Sequence, residues 1–491
     1  MCLLAVLAVL FKGPLILNPE LRLLQIDAMV LRVSVYQDRA RISVPKSSIC
    51  LTTIISAIFP PFFRGADAKI LSENSGIAYT NNTGHLKNPS PKKYNKFSEM
   101  LRFYTAGESH GKGLIGIIEG IPSGLALSSE DIDSQLKRRQ KGHGRGGRMK
   151  IESDHAEIIS GVRWGRTTGA PISLFIENRD FSNWSSAMSA EEKFTGSVNP
   201  VTKPRPGHAD LAGAQKYAHR DIRNILERSS ARETAMRVAL GAISRKFLAA
   251  FDITVGGFVS RIGSAVMRTS INPASEAGLL KLSKKAESSD VRCPEDDAAD
   301  EIRALIDEAA KAGDTLGGKF TVFVLGAPAG LGSHTQWDRR LNGLFAQAMM
   351  SIQAIKCVEV GGGADLAEKP GSNVMDEIFY KDGKGFYRKT NNMGGIEGGM
   401  SNGMPIVVHA TMKPIPTLKK PLRSVDIATK KPFKAAYERS DVCAVPAASI
   451  VAEAMVSLVV SGALLEKTGG DSLDEARRNY DSYLKYLAEK F

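Results

Sequence analysis

Cysteine is scarce in this chain, with five in 491 residues at Cys2, Cys50, Cys293, Cys357 and Cys443. They are too scattered for a disulfide scaffold and none pair at zinc-ligand spacing, so a reduced intracellular protein is the simpler reading. Long apolar runs are missing too. No stretch reaches eighteen consecutive apolar residues, which argues against a membrane-spanning segment. The chain has no HExxH, no Cys/His cluster and no acidic triad, so a protein-bound metal is not indicated. Apolar residues make up 43% and charged residues 24%, ordinary values that exclude wholesale disorder and collagen-like structure. The length suits two or three domains, or one large domain with appendages.

What the chain has is positive charge, 65 basic against 52 acidic residues for a net +13. An anionic partner follows, but nucleic acid, a phosphorylated metabolite and a phosphate-bearing cofactor all satisfy it. The texture changes near residue 100. Residues 1–99 carry 12 Lys/Arg against 6 Asp/Glu and little periodicity, with a Phe59-Pro-Pro-Phe-Phe break and a polar stretch from Asn81 to Lys96. The apolar opening Met1–Leu17 lacks a basic start and so makes a poor secretory signal. Residues 1–99 therefore read as a disordered or non-native extension, with Met100 as a start; a targeting peptide is the alternative. Residues 100–491 read as a separate, folded domain.

From Leu101 the chain reads as α+β, without strict βαβ alternation or an internal repeat. Leu101–Ala106 predicts a strand entering the turn Gly107-Glu-Ser-His-Gly111, and Lys112 onward predicts another. Ser128-Ser-Glu-Asp opens a capped helix. Long helices are expected over about 220–251 and about 446–467, the second apolar apart from Glu453 and hence buried or at an oligomer interface. Strands are expected at Lys319–Leu325 and Pro405–Met412. The Gly107–Gly111 turn matches G-x-S-x-G, but a nucleophile elbow needs a helix after the serine, where a strand is expected. It also falls one residue short of a phosphate-binding P-loop, and Gly113 stands where the magnesium-holding Ser/Thr would be.

The densest basic stretch, Arg138 to Lys150, has the look of an RNA-binding arginine–glycine segment. It occurs once and contains no aromatic to stack a base, so a loop clamping a small polyanion is the better reading. Arg145, Arg148, Arg205, Arg232 and Arg439 all lie in or beside Gly-, Pro- or Ser-containing turns or helix starts. Guanidinium forks there suit carboxylate and phosphate. His110 in its glycine turn and His208 in Arg205-Pro-Gly-His-Ala-Asp210 add groups that exchange protons near neutral pH. Asp441 joins them, or simply caps the following helix or pairs with Arg439.

Several long motifs occur in one order. They are Gly107-Glu-Ser-His-Gly111, Gly144-Arg-Gly-Gly-Arg-Met-Lys150, Arg205-Pro-Gly-His-Ala-Asp210 and Glu227-Arg-Ser-Ser-Ala-Arg-Glu-Thr234. Gly330-Leu-Gly-Ser, Gln336-Trp-Asp, Thr390-Asn-Asn-Met-Gly-Gly-Ile-Glu-Gly-Gly399, Lys413-Pro-Ile-Pro-Thr417 and Glu438-Arg-Ser-Asp441 follow. In this combination the chain resembles the chorismate synthase family from about Leu101 to the C-terminus.

The resemblance implies a β-α-β sandwich with helices between antiparallel sheets, assembled as a homotetramer, with no nucleic-acid or membrane partner. It implies a cytoplasmic lyase, with plastid targeting only if residues 1–99 are a transit peptide. The implied reaction is anti-1,4-elimination of phosphate from 5-enolpyruvylshikimate 3-phosphate to give chorismate, the last shikimate-pathway step. It requires reduced FMN, which in some members NADPH regenerates.

By the same resemblance His110 protonates the departing phosphate, His208 serves the reduced flavin, and Asp441 manages a flavin proton. Arg228, Ser229, Ser230, Gln353, Ala354, Gly398, Lys413, Pro414, Ile415, Pro416, Thr417 and Arg439 match FMN-holding positions. Arg139 and Arg145 match positions for NADPH, and Ser109, Arg148, Arg205 and Arg232 are expected around the substrate anion. Three residues depart from the family pattern. His143 and His334 replace aromatics, and Val442 replaces the proline after Asp441.

Overall fold

The computed structural model describes residues 101–145, 153–383, 385–434 and 441–491, with two short strands earlier in the chain. The chain divides into two units, Met1–Tyr94 and Asn95–Phe491. In the first, Val33–Tyr36 and Arg39–Ile42 pair antiparallel. The expectation for residues 1–99 otherwise lies outside the described residues.

The second unit begins with strands β1 (Arg102–Ala106) and β2 (Gly113–Glu119), joined by the Gly107–Gly111 turn. Helix α1 (Ser129–Gln140) follows, then β3 (Glu157–Ser160) and β4 (Ile172–Glu177). These strands form an antiparallel sheet in the order β1-β2-β4-β3, with Leu114 opposite Ile176 and Tyr104 opposite Ile117. Leu114, Gly116 and Ile118 face inward while Ile115 and Ile117 face out, the two-residue alternation of a sheet with one face on the core. At the start of α1 the Ser128 and Asp131 side chains cap each other's backbone, as the Ser-Ser-Glu-Asp spacing predicts.

Helices α2 (Asp210–Tyr217), α3 (Arg223–Ser229) and α4 (Thr234–Ala249) come next. The single helix expected over about 220–251 is therefore two helices. Ser230 is extended, with φ −61° and ψ 141°, and its hydroxyl accepts from the Arg232 N–H to start the turn Ala231–Glu233. The capping serine competes successfully with helix continuation there.

The second sheet is built from β5 (Thr254–Ile262), β6 (Ala265–Val266), β7 (Gly318–Leu325), β8 (Ile355–Val360) and β9 (Ile406–Met412). Its order is β6-β5-β7-β9-β8, antiparallel throughout. Helices α5 (Glu276–Ser288), α6 (Asp296–Ala312) and α7 (Leu341–Met350) lie within this half of the chain. Helix α8 (Val445–Thr468) and the amphipathic α9 (Leu473–Lys490) close it.

Helix α4 packs on the first sheet and on α8, and α8 packs on β5 and β7, giving the expected sheet–helices–sheet sandwich. By length and composition α8 could cross a membrane, but 89% of its apolar window is buried in this fold. Its one core charge, Glu453, is fully buried and met by Arg138, Arg245 and Arg292 at 2.8, 2.9 and 2.6 Å. A lone buried carboxylate would be prohibitive; one with three guanidinium partners is tolerated.

The α4–α8 crossing is tight. A Cβ placed on Gly241 would lie 2.4 Å from Ala454 Cβ and 2.6 Å from its Cα. Gly241→Ala should gain up to about 1 kcal/mol of helix propensity and lose about 1–3 kcal/mol to overpacking. The expected outcome is a lower urea midpoint; a raised midpoint would place the helices farther apart.

Candidate functional site

A cavity of about 950 Å³ opens where the Gly107–Gly111 turn, the α3–α4 break, the loop after β9 and the start of α8 converge. Of the residues expected in a site, Ser109, His110, Arg139, Arg145, Arg205, His208, Ser229, Ser230 and Arg232 line it. So do Gln353, Ala354, Lys413, Ile415, Pro416, Thr417 and Asp441. Residues from opposite ends of the chain thus share one space.

Three expected positions do not line it. Arg228 donates to the Thr105 carbonyl at 2.7 Å and to the Gly107 carbonyl at 3.2 Å, so its guanidinium anchors the end of β1 instead. Pro414 lies between two lining residues without being one. Gly398 sits at φ +59° in the turn between Ile396–Glu397 and Met400–Ser401, beside His334. Arg148 and Arg439 lie outside the described residues.

Each histidine is gripped by a buried carboxylate. The His110 ring Nδ1 lies 2.9 Å from Glu227 Oε2, and the His110 backbone N–H donates to the same oxygen at 2.9 Å. Burial opposes ionisation of Glu227, but its bonds with His110 outweigh that and hold the carboxyl below the usual range. His208 Nδ1 lies 2.5 Å from Asp210 Oδ1, and Arg205 Nε donates to Asp210 Oδ2 at 2.9 Å. Burial again opposes ionisation, and the His208 and Arg205 bonds win, holding Asp210 well below the ordinary carboxylate range. Nδ1 is thus committed to a carboxylate in both rings, and His208 Nε2 also lies 3.5 Å from Arg205 Nη2.

The arginines crowd each other. Arg139 donates from Nε to Thr234 Oγ1 at 3.0 Å and from Nη2 to the Ala231 carbonyl at 3.0 Å. Its Nη1 is buried without a hydrogen-bond partner, 3.7 Å from Asp154 Oδ2. Burial pushes this guanidinium down to about 10, and the charges of Arg145 and Arg232 add to the effect against Asp154 and Asp441. Arg232 bonds Asp154 Oδ1 at 2.6 Å and Asn178 Oδ1 at 3.0 Å. Arg145 Nη1 meets Asp441 Oδ2 at 2.6 Å. Beside Gly207, burial lowers the Lys413 ammonium, with Lys356 adding to it. Positive groups held this close favour a bound anion.

The residues departing from the family pattern sit at the margin. His143 Nε2 pairs with Asp307 Oδ1 at 2.7 Å and does not line the cavity. The Val442 N–H donates to the Gly144 carbonyl at 3.0 Å, a bond proline could not make, and so ties the Arg145 loop to Asp441. Among the described residues no group of three or more His, Cys, Asp or Glu could hold a metal.

Sequence reasoning passed over Asp154, Asn178, Trp184, Asp210, Arg223 and Glu227. Asp210 and Glu227 were visible inside quoted motifs. The pairing of Glu227 with His110, 117 positions away, was not. Asn178 Nδ2 donates to the carbonyls of Glu108 and Gly111 at 3.0 and 2.8 Å and so shapes the histidine's turn, with no sequence signal to mark it.

The Asp210 pairing has a pH signature. A carboxyl depressed in the folded state adds stability that is present above its unfolded value near pH 4 and lost as pH falls toward the folded one. Asp210→Asn should be less stable at neutral pH and show a shallower fall in urea midpoint below about pH 4. An equal acid-side fall in both proteins would remove the pairing from the stability.

Comparison with known proteins agrees with this geometry. The family model described as chorismate synthase matches residues 101–465. A chorismate synthase of Aquifex aeolicus is 56% identical over 390 residues, covering 79% of this chain and 98% of that protein. One of Geobacter sulfurreducens is 56% identical over 396 residues, covering 79% and 99%. A solved structure described as a crystal structure of chorismate synthase superposes with a TM-score of 0.65 at 46% identity, covering 79% of this chain and 98% of that one. The shared motifs, the sandwich and the arginine-lined cavity have one explanation: this chain belongs to the chorismate synthase family.

Proposed function

We propose that this cavity converts 5-enolpyruvylshikimate 3-phosphate to chorismate and phosphate by anti-1,4-elimination, with reduced FMN bound beside the substrate. The observation that carries the reading is that Arg139, Arg145, Arg205, Arg232 and Lys413 line one cavity, with Arg139, Arg145 and Arg232 close enough for their charges to act on one another. A substrate with two carboxylates and a phosphate, next to a flavin phosphate, supplies the negative charge this arrangement favours.

The residues also fit the flavin. Ile352, Met412, Ala444, Ala447, Ala448 and Val451 give the cavity an apolar wall suited to an isoalloxazine. Polar groups lie at its edge in Ser229, Ser230, Lys413 and Thr417, and Gln353 Oε1 is buried without a hydrogen-bond partner. Reduced FMN would supply the electron density that lets phosphate leave a carbon skeleton whose lost hydrogen is not acidic.

The protein's part is binding and proton placement. His110, held at Nδ1 by Glu227, offers a proton from Nε2 to the departing phosphate. His208, held by Asp210 and Arg205, would serve the reduced flavin as a proton-exchanging group. Asp441, held through Oδ2 by Arg145, takes up a proton at its carboxylate. Arg205 and Arg232 bind and orient the substrate anion. NADPH, as reductant, would meet Arg139 and Arg145 in this same space. A homotetramer suits the outer face of the first sheet, where Tyr104, Ile115, Ile117 and Ile159 are exposed together.

The test is turnover with reduced FMN under anaerobic conditions. His110→Ala and His208→Ala should each lower kcat by about 10- to 10⁴-fold, the range for a lost positioned proton-transfer group. Near-normal turnover in both variants would remove the assigned roles.

A further inference from the structure

Trp184 stands over His110. It follows the short turn Arg179–Asn183, and its indole Nε1 donates to Asp180 Oδ2 at 3.1 Å. Its ring centre is 4.1 Å from that of His110, with the planes 33° apart. The Arg223 guanidinium lies 5.1 Å from the indole centre, while Arg223 Nη1 bonds Glu227 Oε1 at 3.3 Å. Indole, guanidinium, carboxylate and imidazole therefore form a closed set around one ring. The chain's other tryptophans, Trp164 and Trp337, are 87% and 81% exposed, whereas Trp184 is half-buried and lines the cavity.

We propose that Trp184 is a positioning residue for His110, an assignment that rests on the catalytic role given to His110 above. Glu227 fixes one nitrogen of the imidazole, and Trp184 packs on the ring itself. The indole face resists rotation of the imidazole, because turning the ring would break the stacked aromatic contact. The imidazole is thereby oriented by a polar contact at Nδ1 and an aromatic contact on its face. The arginines that bind the substrate do not depend on Trp184, so its loss should act on proton transfer more than on binding. An indole that merely filled the cavity wall would show the opposite pattern, a raised KM with kcat preserved.

Two measurements on the full chain test this. With reduced FMN and no oxygen, Trp184→Ala should lower kcat by about 10- to 100-fold, as expected for a misaimed reacting group, with KM for substrate changed only a few-fold. Trp184→Phe, which keeps an aromatic face, should recover most of that loss, and Trp184→Leu should not. Separately, in flavin-free W164F/W337F protein, Trp184 is the sole tryptophan. His110→Leu in that background should change its emission intensity, while His155→Leu at an exposed histidine should leave it unaltered. Normal kcat in Trp184→Ala, or emission indifferent to His110, overturns the proposal. If Trp184→Ala does not fold, the emission arm decides. If the unsubstituted protein releases no phosphate, the catalytic reading of the cavity fails instead, and the emission result still reports whether the stack exists.

Discussion

Every part of the site depends on keeping several guanidinium groups close together before any ligand arrives. Like charges at such distances repel, and burial deprives them of water. The fold holds them by pairing each with a carboxylate, two of them buried behind the guanidinium groups. Asp154 sits under Arg139 and Arg232, Asp210 under Arg205, and Asp441 against Arg145. Asp154 stays outside the cavity lining, while Asp441 lines the cavity beside Arg145. Preorganised charge of this kind needs no rearrangement when the substrate's own charge moves.

The sandwich supplies the rigidity this needs. Glu453 in the middle of α8 meets three arginines from α1, α4 and the segment before α6, and so locks together the layers that carry the cavity wall. At the other side, the break at Ser230 turns Ser229, Ser230 and Arg232 into the cavity, where an unbroken helix would have carried them along its axis. The interruption is thus what makes α3 and α4 useful to the site. The two histidines follow the same logic, each attached to the fold through a carboxylate at Nδ1.

Much of this was legible in the sequence, for reasons that differ by element. Strands β1, β2, β7 and β9 stood out because their apolar residues are bounded by glycine and proline turns. The apolar character of α8 announced a buried helix. The break at Ser230 did not show, because Ala231-Arg-Glu-Thr reads as good helix and only the serine's cap decides otherwise. Motif order brought sixteen of the expected side chains to one cavity. Arg228 and Ser229 are neighbours, yet one anchors β1 and the other lines the cavity, a difference set by which way α3 is rolled. Likewise the carboxylate partners of the histidines are three-dimensional facts, since nothing in the spacing of Glu227 and His110 joins them.

The central claim is that one cationic hollow holds an electron-rich flavin against a triply anionic substrate so that phosphate can leave. The most direct measurement is phosphate release from 5-enolpyruvylshikimate 3-phosphate by the unsubstituted protein, anaerobically, with and without photoreduced FMN. The account predicts release, with chorismate formed in equal amount, only when the reduced flavin is present. Release at the same rate without flavin, or none with it, would contradict it.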